Sequence, residues 1–206
     1  MNEKELMDAF IRMQKYDVPD ISIEVGAHEG AYSKTISLLG VEAYAFEASP
    51  YVYNRFKDGL SGVFYINKAV SEYSGILKFE MQTRFDPAMA GNNTIKNRNE
   101  DTAYEYIDIE ATSLDEYFQD DIDKNANFVL WIDVEGANGD VLLGAKKMLD
   151  RVSSIHIEVE EREFWKNQWL HEDVTEYLAG YGFKEYLSCN VDPEGHQKNI
   201  IYTRMV

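Results

Sequence analysis

Short apolar runs and amphipathic stretches alternate along most of this chain. The runs at 21–25, 43–46, 63–66, 128–132 and 154–159 are only four to six residues long, which predicts buried strands. Between and around them, apolar residues recur at helical spacing, which predicts helices at about 3–16, 32–39, 50–59, 141–149 and 174–178. Because short strands alternate with helices, the pattern favours an α/β fold, a mostly parallel sheet with helices on both faces.

The remaining segments follow a different pattern. Alternating apolar and polar residues at 71–81 and 104–111 predict two further strands, separated by a long polar loop over 82–103. Strands at 183–187 and 199–203 follow each other without a helix, which predicts an antiparallel pair at the C-terminal end of the sheet. Ser113 is the expected cap of a short helix.

Composition narrows the class of protein. The chain has 206 residues, 45% of them hydrophobic, which fits one folded domain over 1–206 with a short N-terminal helix. A formal net charge of -17 repels phosphate backbones and anionic lipid, so neither nucleic acid nor a membrane is expected as a partner. Cys189 is a lone cysteine, and the first ten residues lack the character of a secretory signal, so a cytoplasmic location is expected.

The loop after the first strand contains the first candidate chemistry. Glu24, Gly26 and Gly30 lie between the strand and the next helix, where glycines allow a backbone to approach a ligand closely. Their G-x-x-x-G spacing differs from the G-x-G-x-x-G of pyrophosphate loops. Glu47 ends the next strand, where a carboxylate can accept hydrogen bonds from both hydroxyls of a ribose. Together these features favour an adenosine-containing cofactor, and S-adenosylmethionine over NAD.

Five segments between about residues 20 and 160 resemble the FkbM-type methyltransferases. They are "EVGAHEGAYSKTI", "AYAFEASPYVYNRF", "INKAVSEYSGILKF", "IEATSLDEYF" and "WIDVEGANGDVLLGAKKML...IHIEVEE", with D-V-E-G-A and the following V-L-x-G-A as the most specific part. The resemblance implies a class I, Rossmann-like methyltransferase domain that uses S-adenosylmethionine. It also implies methylation of a hydroxyl oxygen on a sugar, a glycan or another small molecule.

Three positions depart from the family pattern. Glu24 replaces the usual aspartate, Trp131 replaces a common lysine, and Asn138-Gly139-Asp140 follows the alanine where a glutamate is frequent. These departures leave cofactor binding in place and affect mainly the expectation for acceptor chemistry.

The strand ends assign expected roles to the candidate cofactor residues. Those expected to contact the cofactor are Glu24, Gly26, Ala27 and Gly30 near the methionine part, Glu47 and Ala48 at the ribose, Asn67, Ala69 and Val70 at the adenine, and Asp133. Each also has a structural alternative, such as a turn residue or a solvated strand-end carboxylate.

Methylation of a hydroxyl requires a base that takes its proton. Asp133 is the first candidate because it ends the strand at 128–132, and Glu135, His28 and Glu158 are the other candidates. Asp133 could equally cap the following helix. Glu160 could join Asp133 and Glu158 as a ligand of Mg²⁺ or Ca²⁺, but clustered carboxylates are common in acidic chains and no metal is expected.

Three functions compete on the sequence alone. The favoured one is an S-adenosylmethionine-dependent O-methyltransferase with a small-molecule or glycan acceptor. A nicotinamide-dependent oxidoreductase is disfavoured because G-x-G-x-x-G and a Tyr-x-x-x-Lys pair are missing. A catalytically inactive cofactor-binding module is the third, and a homo-oligomer remains possible. Acceptor specificity is expected in the segments 82–103, 161–171 and 189–198.

Overall fold

The computed structural model describes residues 1–82, 93–96, 104–119 and 125–204. Ten strands and six α-helices are assigned in this part of the chain. The strands are β1 (Ile21–Val25), β2 (Glu42–Phe46), β3 (Val63–Ile66), β4 (Ala69–Val70), β5 (Gly75–Gln82), β6 (Tyr104–Thr112), β7 (Phe128–Ile132), β8 (Val152–Glu160), β9 (Phe183–Asn190) and β10 (Gln197–Arg204). The helices are α1 (Glu3–Tyr16), α2 (Ala31–Ser37), α3 (Pro50–Phe56), α4 (Leu114–Tyr117), α5 (Asn138–Leu143) and α6 (His171–Ala179).

Seven strands form the main sheet in the order β3-β2-β1-β7-β8-β10-β9. The pairs from β3 to β8 are parallel, and β10 is antiparallel to both β8 and β9. The predicted α/β fold with a mostly parallel sheet and an antiparallel C-terminal pair is therefore confirmed. The strand order reverses between β1 and β7, where ligands bind in open sheets of this kind.

Helices cover both faces of the sheet. Successive residues of a strand point to opposite faces, so Val129 packs with Leu6 and Phe10 of α1, while Leu130 belongs to the cluster with Leu142 of α5 and Leu178 of α6. All five residues of β1 are buried, as expected for a strand covered on both sides. Within the described residues, no helix combines the length and the apolar character needed to cross a bilayer.

A separate three-stranded sheet, in the order β4-β6-β5, was not predicted. The two alternating segments do form strands, but β5 and β6 pair antiparallel with each other and β4 adds to β6 in parallel. Their inward residues, including Phe79, Met81 and Ile109, form a small core of their own. Most of the predicted loop 82–103 lies outside the described residues. In its described part, Thr94 forms an antiparallel bridge with Glu80 of β5.

The helix predicted over 141–149 is shorter and begins earlier than the periodicity indicates. It ends at Leu143, and a separate 3₁₀ turn follows at Met148–Arg151. The carboxylate of Asp115 explains the break, because it accepts hydrogen bonds from the backbone N–H groups of Lys147 (2.9 and 3.1 Å) and Met148 (2.8 Å). Those amides are thereby satisfied outside a regular α-helix.

The loop after β1 lies against the loop after β7 at Gly26. Its φ of +79° is a backbone conformation that favours glycine, and a Cβ at this position would lie 1.8 Å from the backbone oxygen of Asp133. The N–H of Asp133 donates to the carbonyl of Val25 at 2.9 Å, which fixes the two loops against each other. Only glycine fits here.

Replacing Gly26 with alanine should therefore destabilise the fold far more than positive φ alone explains. We expect a loss of about 2–5 kcal/mol in the free energy of unfolding, from backbone strain plus overlap with Asp133. Gly40→Ala is the matched control, since its φ is +83° but nothing lies within 4 Å of the added carbon. It should cost only about 1–2 kcal/mol. Urea denaturation measures both variants, and equal losses would contradict the close approach.

Candidate functional site

A cavity of about 700 Å³ lies at the carboxyl ends of β1, β2, β7 and β8. Its walls also include residues of β5, of the segment 93–95 and of the loop after β8. This is where the reversal of strand order predicts a ligand, and the volume falls in the range typical of small-molecule sites.

The β1 side of the cavity is formed by Gly26 and His28. The N–H groups of Gly26 and Ala27 both donate to the carbonyl of Phe46, at 3.0 and 2.9 Å, which holds this loop against the end of β2. His28 has a positive φ of 45°, and the Tyr65 hydroxyl donates to its carbonyl oxygen. Burial lowers the pKa of the His28 imidazole. The loop is thus fixed mainly through its backbone.

Glu47 projects into the cavity from the loop after β2 and is 7% exposed. One carboxylate oxygen accepts the His28 N–H at 2.8 Å, and the other accepts the Ser49 N–H at 2.7 Å. Burial raises the pKa of Glu47 to about 7, against the opposing effect of these two hydrogen bonds. Each oxygen retains a lone pair, so the locked carboxylate can still accept hydrogen bonds from a ligand.

The turn after β3 forms the next wall. Ala69 and Val70 line the cavity together with Ala48, while Asn67 does not. The Asn67 side chain instead donates to the carbonyls of Glu47 (2.8 Å) and Ala48 (3.2 Å). Asn67 therefore positions the Glu47 loop from behind.

Glu24, Ala27 and Gly30 also lie outside the cavity lining. Glu24 is 5% exposed, and its carboxylate accepts the Ser33 N–H of α2 at 2.9 Å. Burial raises the pKa of Glu24 to about 7. Gly30 precedes α2 with a φ of +65°. These residues connect β1 to α2, while Gly26 and His28 face the cavity.

Asp133, Glu135 and Glu158 line the opposite end of the cavity, after β7 and on β8. The Asp133 side chain is exposed to the cavity, where the surrounding protein excludes much of the bulk water and raises the pKa of its carboxyl group to about 6. The pKa of Glu158 is raised to about 10. Burial is the largest cause, and repulsion from Asp133, Glu135 and Glu160 adds to it. The structure thus brings together all four candidate bases, His28 included, around one cavity.

Glu160 stands directly behind this acidic end and does not line the cavity. It is 1% exposed, and its carboxylate accepts a hydrogen bond from the Gln168 amide at 3.1 Å. Burial and the charge of Glu135 raise the pKa of Glu160 to about 8.

The segment 93–96 and the loop after β8 close the cavity. The backbone of Thr94 exchanges hydrogen bonds with Glu80, and its hydroxyl donates to the carbonyl of Glu135. Lys96 pairs with Asp140 at 2.6 Å. This segment therefore connects the small sheet to the loop after β7 and to α5.

Glu24, Trp131 and Asn138 depart from the pattern of the resembling family, and none of the three lines the cavity. Trp131 stacks on His156 (ring centroids 3.5 Å apart) and on Tyr32 (4.7 Å), beneath α1. Asn138 is 1% exposed, and its side chain donates to the carbonyl of Glu158 at 3.3 Å. Asn138 thereby joins the start of α5 to the end of β8.

Several lining residues were not among the predicted site residues, including Lys68, Phe79, Thr94 and Gln197. Lys68 lies within the predicted "NKAV" turn, and Gln197 lies in the turn 189–198 named for specificity. Thr94 lies in the segment 82–103, which was also named for specificity. Phe79 comes from the small sheet, whose docking against the main sheet has no sequence signal that we recognise.

The fold of this chain is similar to that of several solved methyltransferase structures. The chain is similar to magnesium protoporphyrin IX methyltransferase from Synechocystis with bound S-adenosylmethionine, at 8% identity and a TM-score of 0.54, covering 98% of this chain and 79% of that one. It is also similar to precorrin-6y C5,15-methyltransferase from Geobacter metallireducens (11% identity, TM-score 0.53, 100% and 90% covered). An rRNA methylase from Streptococcus thermophilus gives 13% identity, a TM-score of 0.53, and coverage of 100% and 98%.

At these identities the similarity concerns the fold. No curated protein sequence matches the chain. The family model of the methyltransferase FkbM domain matches residues 24–185, which are most of the chain and include the carboxyl ends of β1, β2, β7 and β8. The chain belongs to the FkbM methyltransferase family, whose methyl donor is S-adenosylmethionine.

Proposed function

We propose that the cavity binds S-adenosylmethionine along its β1–β2–β3 side and a small, non-anionic acceptor at its β7–β8 end, and that a hydroxyl oxygen of the acceptor is methylated. The observation that supports this most strongly is the placement of carboxylates at both ends of one cavity. Glu47 lies after β2, and Asp133 and Glu158 lie across the reversal of strand order.

The residues present fit the cofactor. Gly26 leaves the cavity wall free of a side chain where β1 meets β7, and Glu47 offers two oriented oxygens to the ribose hydroxyls. Ala69 and Val70 offer apolar contacts to an adenine ring. When bound there, S-adenosylmethionine supplies the methyl group from a cationic sulfur, and nearby carboxylates favour that positive charge.

Asp133 is the proposed base. It opens into the cavity at the end of β7, and the adjacent backbone of Gly26 and Val25 holds its position. As the acceptor oxygen bonds to the methyl carbon, Asp133 takes the hydroxyl proton, which passes to solvent after the reaction. Positioning of the two reactants in one enclosed volume supplies further acceleration.

The charge of the site favours a small acceptor over a nucleic acid. The net charge is -17, and Asp133, Glu135 and Glu158 line the acceptor end. Phosphate groups would be repelled both at the surface and inside the cavity.

Glu47→Ala should weaken binding of S-adenosylhomocysteine while the fold survives. Loss of charge-assisted hydrogen bonds to two hydroxyls costs about 1.5–3 kcal/mol, or roughly ten- to a hundredfold in affinity. Glu42→Ala is the control, because Glu42 is exposed at the start of β2 and its carboxylate accepts a hydrogen bond from the Tyr44 hydroxyl, away from the cavity lining. Calorimetry gives both dissociation constants, and an unchanged value for Glu47→Ala would remove the proposed ribose site.

Asp133→Asn should separate chemistry from binding. Turnover should fall by about 10²- to 10⁴-fold, the usual effect of losing a general base, while affinity for S-adenosylhomocysteine changes less than about threefold. A base works only when deprotonated, and burial raises the pKa of Asp133 to about 6. Wild-type turnover should therefore rise with pH through about 6, a limb that the variant lacks.

Asp58→Asn, at an exposed aspartate in the turn after α3, is the control for this substitution. If Asp133 only caps a loop, Asp133→Asn would instead lower the melting temperature and leave turnover per folded molecule nearly intact.

No salt-sensitive binding to RNA or duplex DNA is expected near physiological ionic strength, because the carboxylates repel phosphate. A gel-shift assay over a range of salt concentrations measures this. Submicromolar retention of RNA would contradict the proposed small acceptor.

A further inference from the structure

Carboxyl groups crowd the acceptor end of the cavity, and among the described lining residues no lysine or arginine lies beside them. Asp133 and Glu158 face into it from adjacent strands, with Glu160 behind. Among the described lining residues, the only lysine is Lys68, and it follows β3, four strands away from β8. At about 4.8 Å per strand, that separation is roughly 19 Å. The Lys68 ammonium also pairs with Glu110 at 3.1 Å.

Aromatic rings lie at the same end. Phe164 and Trp165, in the loop after β8, line the cavity together with Glu158. Trp165 is 2% exposed and packs so closely on Gly136 that a Cβ there would lie 2.7 Å from the indole. The guanidinium carbon of Arg162 lies 4.6 Å from the centroid of the Phe164 ring, so this ring already contacts one cation. Aromatic faces beside carboxylates bind organic cations.

The spacing of the acidic groups does not favour a small metal ion. Among the described residues, the only three potential ligand side chains with atoms all within 4.8 Å of one another are Asp192, Glu194 and His196, in the β9–β10 turn. Mg²⁺ and Ca²⁺ need several oxygens at about 2.0–2.6 Å. An ammonium group accepts a wider arrangement, because each N⁺–H···O⁻ contact spans about 2.7–2.9 Å.

We propose that the acceptor carries an ammonium group, which Glu158 binds beside Phe164 and Trp165 while Asp133 acts on the neighbouring hydroxyl. An amino sugar offers both groups on one ring and is the class of acceptor proposed. This inference rests on the proposed methyltransferase function and names the class of its substrate.

The electrostatics of Glu158 support this assignment. Burial, together with the neighbouring carboxylates of Asp133, Glu135, Glu160 and Glu3, raises the pKa of Glu158 to about 10, so the side chain holds a proton at neutral pH when the site lacks a cation. An ammonium group offsets that repulsion, and Glu158 then releases its proton. Binding should therefore release a proton, which calorimetry detects as a dependence of the heat on the buffer.

The test titrates the protein, saturated with S-adenosylhomocysteine, with hexoses that carry a free amino group at different ring positions and with their N-acetyl counterparts. At least one amino sugar should bind tenfold or more tightly than its N-acetyl form, with proton release. Glu158→Gln should abolish this difference. Glu161→Gln should retain it, because Glu161 lies outside the cavity lining and pairs with Lys198 and His171. Melting temperature and S-adenosylhomocysteine affinity check each variant's fold.

Three outcomes would overturn the inference. They are equal binding of the paired sugars, no binding of any amino sugar, and displacement of the amino sugar by Mg²⁺ or Ca²⁺ at the same carboxylates. Failure of the wild-type protein to bind S-adenosylhomocysteine would instead contradict the methyltransferase proposal itself, so the two failures are distinguishable.

Discussion

The parallel pairing of β1 with β7 is the constraint on which the site depends. It places Val25 beside Ile132, so the loops that leave the two strands start side by side. The Asp133 N–H donates a hydrogen bond to the Val25 carbonyl. The two loops are so close at Gly26 that no side chain fits at this position. Because the two loops are fixed together, a cofactor held by one loop and an acceptor activated by the other would meet at a defined place.

Buried carboxylates dominate the electrostatics around that junction. Glu47 is held by two backbone N–H groups, whereas the Glu158 carboxylate accepts one long hydrogen bond from the Gln197 amide (3.4 Å) and lies near several other acids, which raise its pKa much further. The first arrangement suits a fixed hydrogen-bond acceptor for neutral hydroxyls. Around Glu158, the carboxylates repel one another, and a positively charged ligand would offset that repulsion. One cavity therefore offers two different kinds of negative site, and each matches a different part of the proposed reaction.

Much of the main sheet could be predicted because its central strands are short, apolar and covered on both faces. The predicted bounds of 21–25 and 128–132 agree with β1 and β7 in the structure. The small sheet was missed because β4 has only two residues and its pairing with β6 is not encoded in any local pattern. The end of α5 was missed because it depends on Asp115, which is distant in sequence.

In the candidate site too, residues placed by a local sequence pattern were predicted, and residues placed by contacts between distant segments were not. Glu47 and Asp133 were identified because strand ends converge at one edge of a parallel sheet, and both line the cavity. Glu24 precedes Val25, and alternate residues of a strand point to opposite faces, so its carboxylate lies against α2. Phe164 and Trp165 lie in the segment 161–171 that was predicted to determine acceptor specificity, but which of its side chains enter the cavity depends on the fold of an irregular loop that periodicity does not specify.

The cavity at the carboxyl ends of β1, β2, β7 and β8 is proposed to hold S-adenosylmethionine. The most direct test is a calorimetric titration of the unmodified protein with S-adenosylmethionine, S-adenosylhomocysteine and NAD under one set of conditions. We expect saturable binding of the first two compounds at a single shared site and no binding of NAD. Binding of NAD together with no heat from either sulfur compound would contradict this proposal.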